Sequence, residues 1–381
     1  MTGATGSLGS HILSQLVATP SVSSIYCLVR ATSSTQTVYE RVKKALQERG
    51  FPDQFSSGKV YVIESDLTRA DFAISAPVVK QILGQITHII HCAWAVNFTL
   101  PVSSFVPQLR GLQNLINCSL TSPFSNPPHL LFCSSVGTAM ATPAPSSIDE
   151  IIIPEAPINE LSDTSPTGYA RSKLIAERMI ENAVSQFGAR ATILRIGQII
   201  PAQETGSQLW NPNEMIPLMI RSALTTGTLP VTPGTDDQCS WIDLGTLSKA
   251  IVEIAEVGWA NLQEGPSKDL EQQLVYNLVH PRPFSWKGHF LPALAEAGLE
   301  FKIVCLEDWL DRLRNSDHDP AKNPSRKLLG FWEGQSQSRK VYQIKFETNL
   351  AEARIPAMRT TENVVDGDYV RSLLKAWRDV W

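Results

Sequence analysis

The chain has 381 residues, of which 43% are hydrophobic, and its 37 acidic and 33 basic side chains give a formal net charge of −4. Without an excess of positive charge there is no overall field to hold a nucleic acid or an anionic membrane, so neither is expected as a partner. No apolar run approaches the ~20 residues of a membrane-spanning helix, which indicates a soluble protein of one large α/β unit or two units.

The cysteines and histidines predict neither a disulfide framework nor a metal site. No two cysteines form a CxxC pair, and most lie in apolar, strand-like contexts, which favours buried thiols in a reducing, cytoplasmic compartment. His88 and His91 are three residues apart in a predicted strand and would point to opposite faces, so shared metal ligation is not expected.

A glycine-rich turn, TGATGSLG from Thr2 to Gly9, opens the chain and leads into a predicted helix. Gly3, Gly6 and Gly9 allow a tight turn and the close approach of backbone to a pyrophosphate, while the helix N-terminus supplies free amides. Only two residues precede the turn, where a whole strand is expected. We therefore expect an excised or incompletely ordered piece of a longer protein, or an incomplete gene prediction, with exposed edges on the neighbouring strands.

Strand-like and helix-like segments alternate through the first two hundred residues. This alternation predicts an α/β fold with a Rossmann-like, doubly wound parallel sheet. The predicted strands are 24–30, 59–66, 87–94, 129–135 and 190–197, and the predicted helices are 11–18, 38–49, 78–86, 105–120 and 169–187.

The end of the predicted strand 24–30 indicates which dinucleotide binds. Arg30 lies roughly twenty residues after Gly9. At this position NAD-binding proteins carry an acidic residue that binds the ribose. A guanidinium matches a 2′-phosphate with two charge-assisted bonds, so NADPH is favoured. Arg41 is either a second phosphate ligand or an exposed helical arginine. Asp66, followed by Leu67, could bind the adenine amino group, cap a helix, or do both.

Tyr169 and Lys173 form a YxxxK pattern that places both side chains on one face of a predicted helix. A cationic lysine one turn away is expected to lower the pKa of the tyrosine, so that the phenol can exchange a proton with a substrate oxygen. Ser135, at the end of the predicted strand 129–135, can hold the same oxygen. These three residues are the predicted catalytic group.

Beyond residue 202 the alternation weakens, and the chain is predicted to build a second unit. Residues 1–202 with about 239–280 form the predicted NADP-binding domain. An insertion at about 203–238 and a mainly helical segment 281–381 form a smaller predicted substrate domain, in which 315–343 is a candidate mobile loop.

The motifs TGATGSLG, CSS and YARSK, in this order, resemble those of an extended short-chain dehydrogenase/reductase. The stretches HCAWAVNFTLPVSSFVPQLRGLQNLI, LRIGQI, WNPNEMIPLMIRSA and SWIDLGTLSKAI are similar to the thioester reductase domains that end fungal polyketide synthases, nonribosomal peptide synthetases and carboxylic acid reductases. The resemblance implies one domain of a larger multidomain synthase of secondary metabolism. It is closest in the first 200 residues and looser after Pro281.

The resemblance also implies a role for each matching residue. Two of these roles have alternatives, because Trp94 could belong to the core and Asn97 could cap a loop. The implied set is a triad of Ser135, Tyr169 and Lys173; pyrophosphate ligands Gly3, Thr5, Gly6, Ser7, Leu8 and Gly9; 2′-phosphate ligands Arg30 and Arg41; Ala93, Trp94 and Asn97 lining the cofactor; Lys173 on the nicotinamide ribose; and Ile196, Gly197 and Gln198 flanking the nicotinamide.

The implied reaction is hydride transfer from NADPH to an acyl thioester carried on the phosphopantetheine of a carrier protein. Tyr169 and Ser135 would stabilise the oxyanion, and the thiol would leave to give an aldehyde. Whether the aldehyde goes on to an alcohol is left open by the residues. The carrier is expected to dock near the less acidic C-terminal unit, at Arg326, Lys327, Arg339 and Lys340.

Three other functions remain open. Some of the reductase-like domains that this chain resembles are redox-inactive and release their product by Dieckmann cyclisation. These domains often lack the tyrosine that is present here as Tyr169. A free-standing sugar-nucleotide epimerase or dehydratase shares the core, but Arg30 and the AVNF segment argue against it. A docking module without activity is the third alternative.

Overall fold

A computed structural model describes the chain from Met1 to Trp381 except residues 33–34, 144–149, 203–209, 232–236, 264–272, 320, 331, 334–342, 363–364 and 379. The side chains of 258–263 also lie outside the description. Part of the predicted insertion and the predicted docking residues Arg339 and Lys340 therefore fall outside the described residues.

The described residues contain strands and helices in alternation, followed by a mainly helical region. The strands are β1 Ile25–Val29, β2 Val60–Glu64, β3 His88–His91, β4 His129–Ser135, β5 Glu150–Ile153, β6 Ala191–Ile196, β7 Ile199–Ile200, β8 Thr228–Pro230, β9 Gln238–Cys239, β10 Ile242–Asp243, β11 Val275–Leu278, β12 Phe284–Ser285, β13 Lys302–Val304 and β14 Gln343–Phe346. The helices are α1 Ser7–Ala18, α2 Val38–Gln47, α3 Ala76–Leu83, α4 Val106–Leu120, α5 Gly168–Phe187, α6 Met215–Arg221, α7 Ala223–Thr226, α8 Leu244–Gln263, α9 Leu291–Glu296, α10 Leu306–Arg314, α11 Asn349–Arg354, α12 Pro356–Thr360 and α13 Gly367–Arg378.

The central sheet is parallel and consists of two parts. Strands β11, β6, β4 and β3 form one part in this order, and β1 pairs with β2 in the other. Thr2 lies between the parts and forms a parallel bridge to Leu28 of β1 and to His91 of β3. The two parts thus join into one doubly wound sheet, which confirms the predicted α/β fold class.

Met1 and Thr2 lie at the position of the central first strand. The Thr2 amide donates to Ile90 O at 2.9 Å, and the Leu28 amide donates to Met1 O at 2.9 Å. Upstream of this contact, a cavity of about 690 Å³ separates β1 from β3 and is lined largely by apolar side chains such as Ile82 and Val252. The Met1 ammonium donates to Tyr26 O at 2.6 Å, and burial lowers its pKa.

Two apolar layers cover the faces of the sheet, and a third cluster forms the core of the C-terminal region. Helices α1 and α8 cover one face with residues such as Ile12 and Leu247, and α4 and α5 cover the other with residues such as Leu112 and Ile180. The third cluster is rich in tryptophan. Its buried indoles include Trp210, Trp241, Trp286, Trp309 and Trp377.

Strand β5 was not predicted and ties the end of the chain to the sheet unit. It pairs in parallel with β14, and the Glu155 carboxylate just beyond it accepts hydrogen bonds from the amides of Asn277, Leu350 and Ala351. Burial raises the pKa of Glu155 to about 7. Helices α11 and α12 contribute Ala351 and Met358 to the core under α8. Part of segment 281–381, predicted as substrate domain, thus packs on the sheet unit.

The cavity between β1 and β3 leads to a prediction about thermal stability. Five added residues rich in Val and Ile ahead of Met1 can pair with both strand edges, so they should raise the thermal midpoint by ~2 °C or more. A Gly-Ser extension of equal length removes the same buried ammonium but has little strand propensity, and it serves as the control. Thermal unfolding followed by circular dichroism measures both. Equal midpoints would contradict the prediction.

Candidate active site at the carboxyl edge of the sheet

The glycine turn forms a backbone cradle at the head of α1. Gly3 has φ +79°, a left-handed conformation, and a Cβ on Gly9 would lie 2.0 Å from Gly3 O. A Cβ on Gly3 would lie 3.0 Å from the amide nitrogen of Ala93, so side chains at these positions have no room. The first-turn amides of α1, from Ser7 to Gly9, have no helical acceptors. This arrangement fits a pyrophosphate.

Two arginines meet where β1 ends. Arg30 is exposed, and Arg41 on α2 donates from Nη1 to Arg30 O at 2.6 Å. Arg41 is therefore held beside Arg30, and is not simply a solvated helical side chain. A capping box between Thr37 and Glu40 fixes the start of α2 and so the position of Arg41. The Arg41 guanidinium therefore lies beside the backbone of Arg30 at the carboxyl edge of the sheet.

Asp66 and Leu67 follow β2 on the same edge. The Asp66 Oδ1 accepts hydrogen bonds from the amide and the hydroxyl of Thr68, at 2.9 and 2.7 Å, and these bonds lower its pKa. Leu67 O accepts a hydrogen bond from Asn114 Nδ2 at 2.8 Å. Asp66 thus shapes a turn and does not cap a helix, since the next helix, α3, begins at Ala76, and its second carboxylate oxygen is the one that could reach an adenine.

Ser135, Tyr169 and Lys173 come together at the ends of β4 and α5. The Ser135 Oγ accepts a hydrogen bond from the Gly137 amide at 3.1 Å and forms a hydrogen bond with Tyr169. Lys173 is buried, and its Nζ donates to Cys133 O at 2.6 Å, with the Tyr169 ring centroid 5.8 Å away. The predicted catalytic group is therefore assembled in one place.

The protonation states in this group differ from the expectation. Burial raises the pKa of Tyr169 to about 12, against the opposing effect of the Ser135 hydrogen bond. Burial also lowers the pKa of Lys173 to about 7. Desolvation outweighs the opposing contributions at both groups, which are the Ser135 hydrogen bond at Tyr169 and nearby Cys and Glu side chains at Lys173, so the phenol is a protonated acid at neutral pH.

The segment after β3 places its predicted residues in different surroundings. The Ala93 amide donates to Thr2 Oγ1 at 3.1 Å, directly beside the glycine turn. The Trp94 indole lies against Lys173, with Nζ 4.3 Å from its ring. Asn97 Oδ1 accepts from the amide and hydroxyl of Thr99, at 2.9 and 2.8 Å. Ala93 thus adjoins the cradle, Trp94 contacts Lys173, and Asn97 caps a loop.

Ile196, Gly197 and Gln198 lie where β6 ends. Ile196 pairs in register with Ser135 of β4. A Cβ on Gly197 would lie 2.9 Å from Val279 Cγ1, so a side chain there would require Val279 to shift. Gln198 Nε2 donates to Ile199 O at 2.8 Å. These three residues share an edge with the predicted catalytic group.

Sequence reasoning missed an apolar rim beside Tyr169. The Tyr169 ring packs edge-on against Phe98 and Phe105, with centroid distances of 5.2 and 6.3 Å. A Cβ on Gly168 would lie 2.2 Å from Leu100 O, so the glycine before Tyr169 lets this loop approach α5. That glycine was the available signal. Val96 and Phe98 are exposed and present apolar surface next to the site.

A buried ion pair behind Lys173 was also missed. Arg195 Nη2 donates to Glu177 Oε2 at 2.7 Å, and both side chains are 0% exposed. Ser134 Oγ also donates to Glu177 Oε1, and Arg195 Nη1 donates to Ala156 O at 2.8 Å. The pair lies on α5 and β6, one helical turn from Lys173, so it fixes α5 against the sheet.

The described residues contain neither a candidate metal-binding cluster nor a candidate membrane-spanning helix. No cluster of three or more His, Cys, Asp or Glu side chains suited to a metal ion occurs among them. None of the helices in the described ranges has the length and apolar character to cross a membrane.

Comparison with known proteins gives consistent matches. The sequence profile of an NAD-binding family described as male sterility protein matches residues 1–251. Adenylate-forming reductase Nps10 of Heterobasidion annosum is 36% identical over 342 residues, which are 87% of this chain and 29% of that relative. The chain thus spans less than a third of the length of that curated relative.

Solved structures share the fold. The terminal R domain of the myxalamid PKS-NRPS pathway superimposes with a TM-score of 0.80 at 20% identity, covering 99% of this chain and 89% of that one. A thiolation-reductase di-domain from an archaeal nonribosomal peptide synthetase superimposes with a TM-score of 0.74 at 18% identity, covering 99% and 74%.

The buried ion pair generates a prediction about stability. Glu177→Gln leaves the Arg195 guanidinium buried without a counter-charge and should lower the free energy of unfolding by about 3 kcal/mol or more. Glu48→Gln breaks the Lys44–Glu48 pair, whose side chains are 58% and 59% exposed, and should cost less than about 1 kcal/mol. Urea denaturation measures both variants. An equal loss in the two would contradict the prediction.

Proposed function

The chain belongs to the male sterility protein family of NAD-binding domains, and from this premise we propose that it is a reductase domain that releases an acyl thioester as an aldehyde with NADPH. The observation that carries the proposal is the assembly of Ser135, Tyr169 and Lys173 beside the glycine cradle. The relatives named as reductases support it further.

The cradle from Gly3 to Gly9 and the cations Arg30 and Arg41 would hold the cofactor, because backbone amides suit its pyrophosphate and guanidinium groups suit a 2′-phosphate. Bound NADPH would supply the hydride for the thioester carbonyl carbon. The choice of NADPH over NADH rests on the two arginines, held together by the hydrogen bond from Arg41 to Arg30 O.

Tyr169 is the proposed proton donor. Its pKa of about 12 keeps the phenol protonated at neutral pH, ready to donate to the carbonyl oxygen as negative charge develops there. Ser135 accepts from the Gly137 amide, which leaves its own proton to stabilise the same oxygen. Lys173 has one acceptor at Cys133 O, and its remaining N–H groups can bind a ribose hydroxyl.

The proposed substrate is a thioester on the phosphopantetheine of a carrier protein, within a larger synthase. Lys327 is exposed and could meet an acidic carrier. Arg326 is less available, because its Nη1 donates to Leu313 O at 3.0 Å and to other carbonyls at the end of α10. A tether raises the thioester to a roughly millimolar effective concentration that a released aldehyde lacks, so we propose that reduction stops at the aldehyde.

Dieckmann-type cyclisation is the second candidate. It needs no cofactor and no proton-donating phenol. The complete triad and the glycine cradle favour reduction over this alternative.

The assignment of Tyr169 is tested by its phenylalanine variant. Tyr169→Phe keeps the packing with Phe98 but removes the proton donor, so turnover should fall by about 10² to 10⁴ while NADPH still binds. Tyr39→Phe, at an exposed position, is the control. NADPH consumption is measured for each variant, and the product mass is measured with and without NADPH. A cyclised product formed without NADPH would contradict reduction and favour Dieckmann-type cyclisation.

The cofactor preference is tested at Arg30. Arg30→Glu removes a charge-assisted pair and should weaken NADPH binding about 10- to 150-fold, with less effect on NADH. Lys44→Glu makes the same charge change on α2 at a side chain 58% exposed, and controls for long-range electrostatics. Fluorescence titration with both cofactors gives the four affinities. Equal affinity of the unaltered chain for NADH and NADPH would rule out this preference.

The carrier proposal is tested with two forms of one thioester. The carrier-bound form should give a higher kcat/KM than a small thioester mimic, and Lys327→Glu should reduce only the carrier-bound value. The mimic thus serves as the internal control. Alcohol as the main product under limiting NADPH, together with equal kcat/KM for the two forms, would overturn the proposal.

A further inference from the structure

Three aromatic rings surround the amino group of Lys173. Nζ lies 4.3 Å from the Trp94 ring, 4.7 Å from the Phe132 ring and 5.8 Å from the Tyr169 ring. The lysine is 2% exposed, and its Nζ donates to Cys133 O at 2.6 Å. An ammonium group within ~6 Å of a ring face is attracted by the ring quadrupole, and tryptophan gives the strongest attraction.

The Trp94 indole is held in a fixed orientation. Its Nε1 donates to Ser172 Oγ at 3.1 Å, and Ser172 Oγ in turn donates to Tyr169 O at 2.7 Å. Its ring also packs edge-on against Phe132 at 5.4 Å. Trp94 is therefore anchored to the same helical turn that carries Tyr169 and Lys173.

The charged and titratable groups facing Lys173 compensate only in part for the burial of its charge, because burial lowers its pKa although Cys133, Cys92 and Glu177 act to raise it. On α5, Glu177 is engaged with Arg195, and the Tyr169 phenol is protonated. From β4 comes the Cys133 thiol, and from the end of β3 come Cys92 and His91, whose imidazole is kept neutral because burial lowers its pKa to about 3. The three ring faces around Nζ add to the stabilisation of positive charge here.

We propose that Trp94 is a positioning residue whose indole face holds the Lys173 ammonium beside Tyr169 and preserves its cationic form in the buried site. The position of Trp94 on the lysine extends its predicted role in lining the cofactor. The catalytic consequence rests on the proposed function, whereas the pairing of the two side chains does not.

The pH dependence follows from the direction of the lysine shift. Burial lowers the pKa of Lys173 from 10.5 to about 7 in the folded chain, so this lysine costs stability that is fully present below pH 7 and falls progressively as the pH rises from about 7 to 10.5. Removing the indole face would lower that pKa further and increase the cost at low pH. At pH 10 the folded lysine is neutral, and the pairing contributes nothing.

The direct test is a double-mutant cycle without substrate or cofactor. Unfolding is measured at pH 6 and pH 10 for the unaltered chain, Trp94→Leu, Lys173→Met and the double variant. We expect a coupling of about 2- to 30-fold in the folding equilibrium constant at pH 6 that vanishes at pH 10. No coupling at pH 6, or equal coupling at both pH values, overturns the proposal.

Two further variants separate this pairing from simple packing. Trp94→Phe retains a ring face and should keep part of the coupling. Phe105→Leu removes a fully buried ring that packs on Tyr169, and its effect on unfolding should be the same at pH 6 and pH 10. A pH-dependent effect of Phe105→Leu equal to that of Trp94→Leu would assign the result to general loss of packing.

The activity measurement links the pair to catalysis. The alkaline limb of the kcat/KM profile should move to lower pH by about half a unit to one unit in Trp94→Leu, and by less in Trp94→Phe. An unmoved alkaline limb would remove the catalytic consequence. If the unaltered chain reduced no thioester at any pH, the proposed function would fail, while the double-mutant cycle would still decide the pairing.

Discussion

The sheet depends on the two-sided pairing of Thr2. The Thr2 amide donates a hydrogen bond to β3, and the carbonyl of the preceding residue, Met1, accepts one from β1. The Thr2 Oγ1 lies 2.8 Å from His91 Nδ1 and accepts a hydrogen bond from the Ala93 amide. This one residue joins two parts of a sheet that are otherwise separated by a cavity. It also sets the height at which the chain turns into the glycine cradle, and therefore where that cradle lies relative to Tyr169 and Lys173.

Around this junction, the site is built from groups whose charges are controlled by burial. Parallel strands bring their carboxyl ends to one edge, where polar groups meet the apolar core. Tyr169 becomes a weaker acid, Lys173 becomes a weaker base, and His91 is kept neutral. Glu177 and Arg195 retain paired charges in the interior because each compensates the other. Burial in the surrounding core therefore helps to determine the protonation states of the groups at this edge of the sheet.

The parts of the structure that follow local rules could be predicted from the sequence. Strands β1 to β4 and β6 and helices α1 to α5 occur where their periodicity predicts them, and the glycine turn occurs where its steric requirements allow little else. The pairing of β5 with β14 could not be predicted, because it joins short segments far apart in sequence. The contact between Trp94 and Lys173 is also nonlocal, and the pKa directions depend on burial that no motif encodes.

The carboxylate of Glu155 has a consequence for the order in which the protein is built during translation. Its hydrogen-bond donors include Leu350 and Ala351, and the strand before it pairs with Gln343–Phe346. The sheet unit therefore cannot be closed until residues beyond Ala351 have left the ribosome. Until then, β5 lacks its pairing with β14, and the Glu155 carboxylate has the Asn277 amide as a donor but not the amides of Leu350 and Ala351. The nascent chain therefore completes this unit about two hundred residues after β5 has been made.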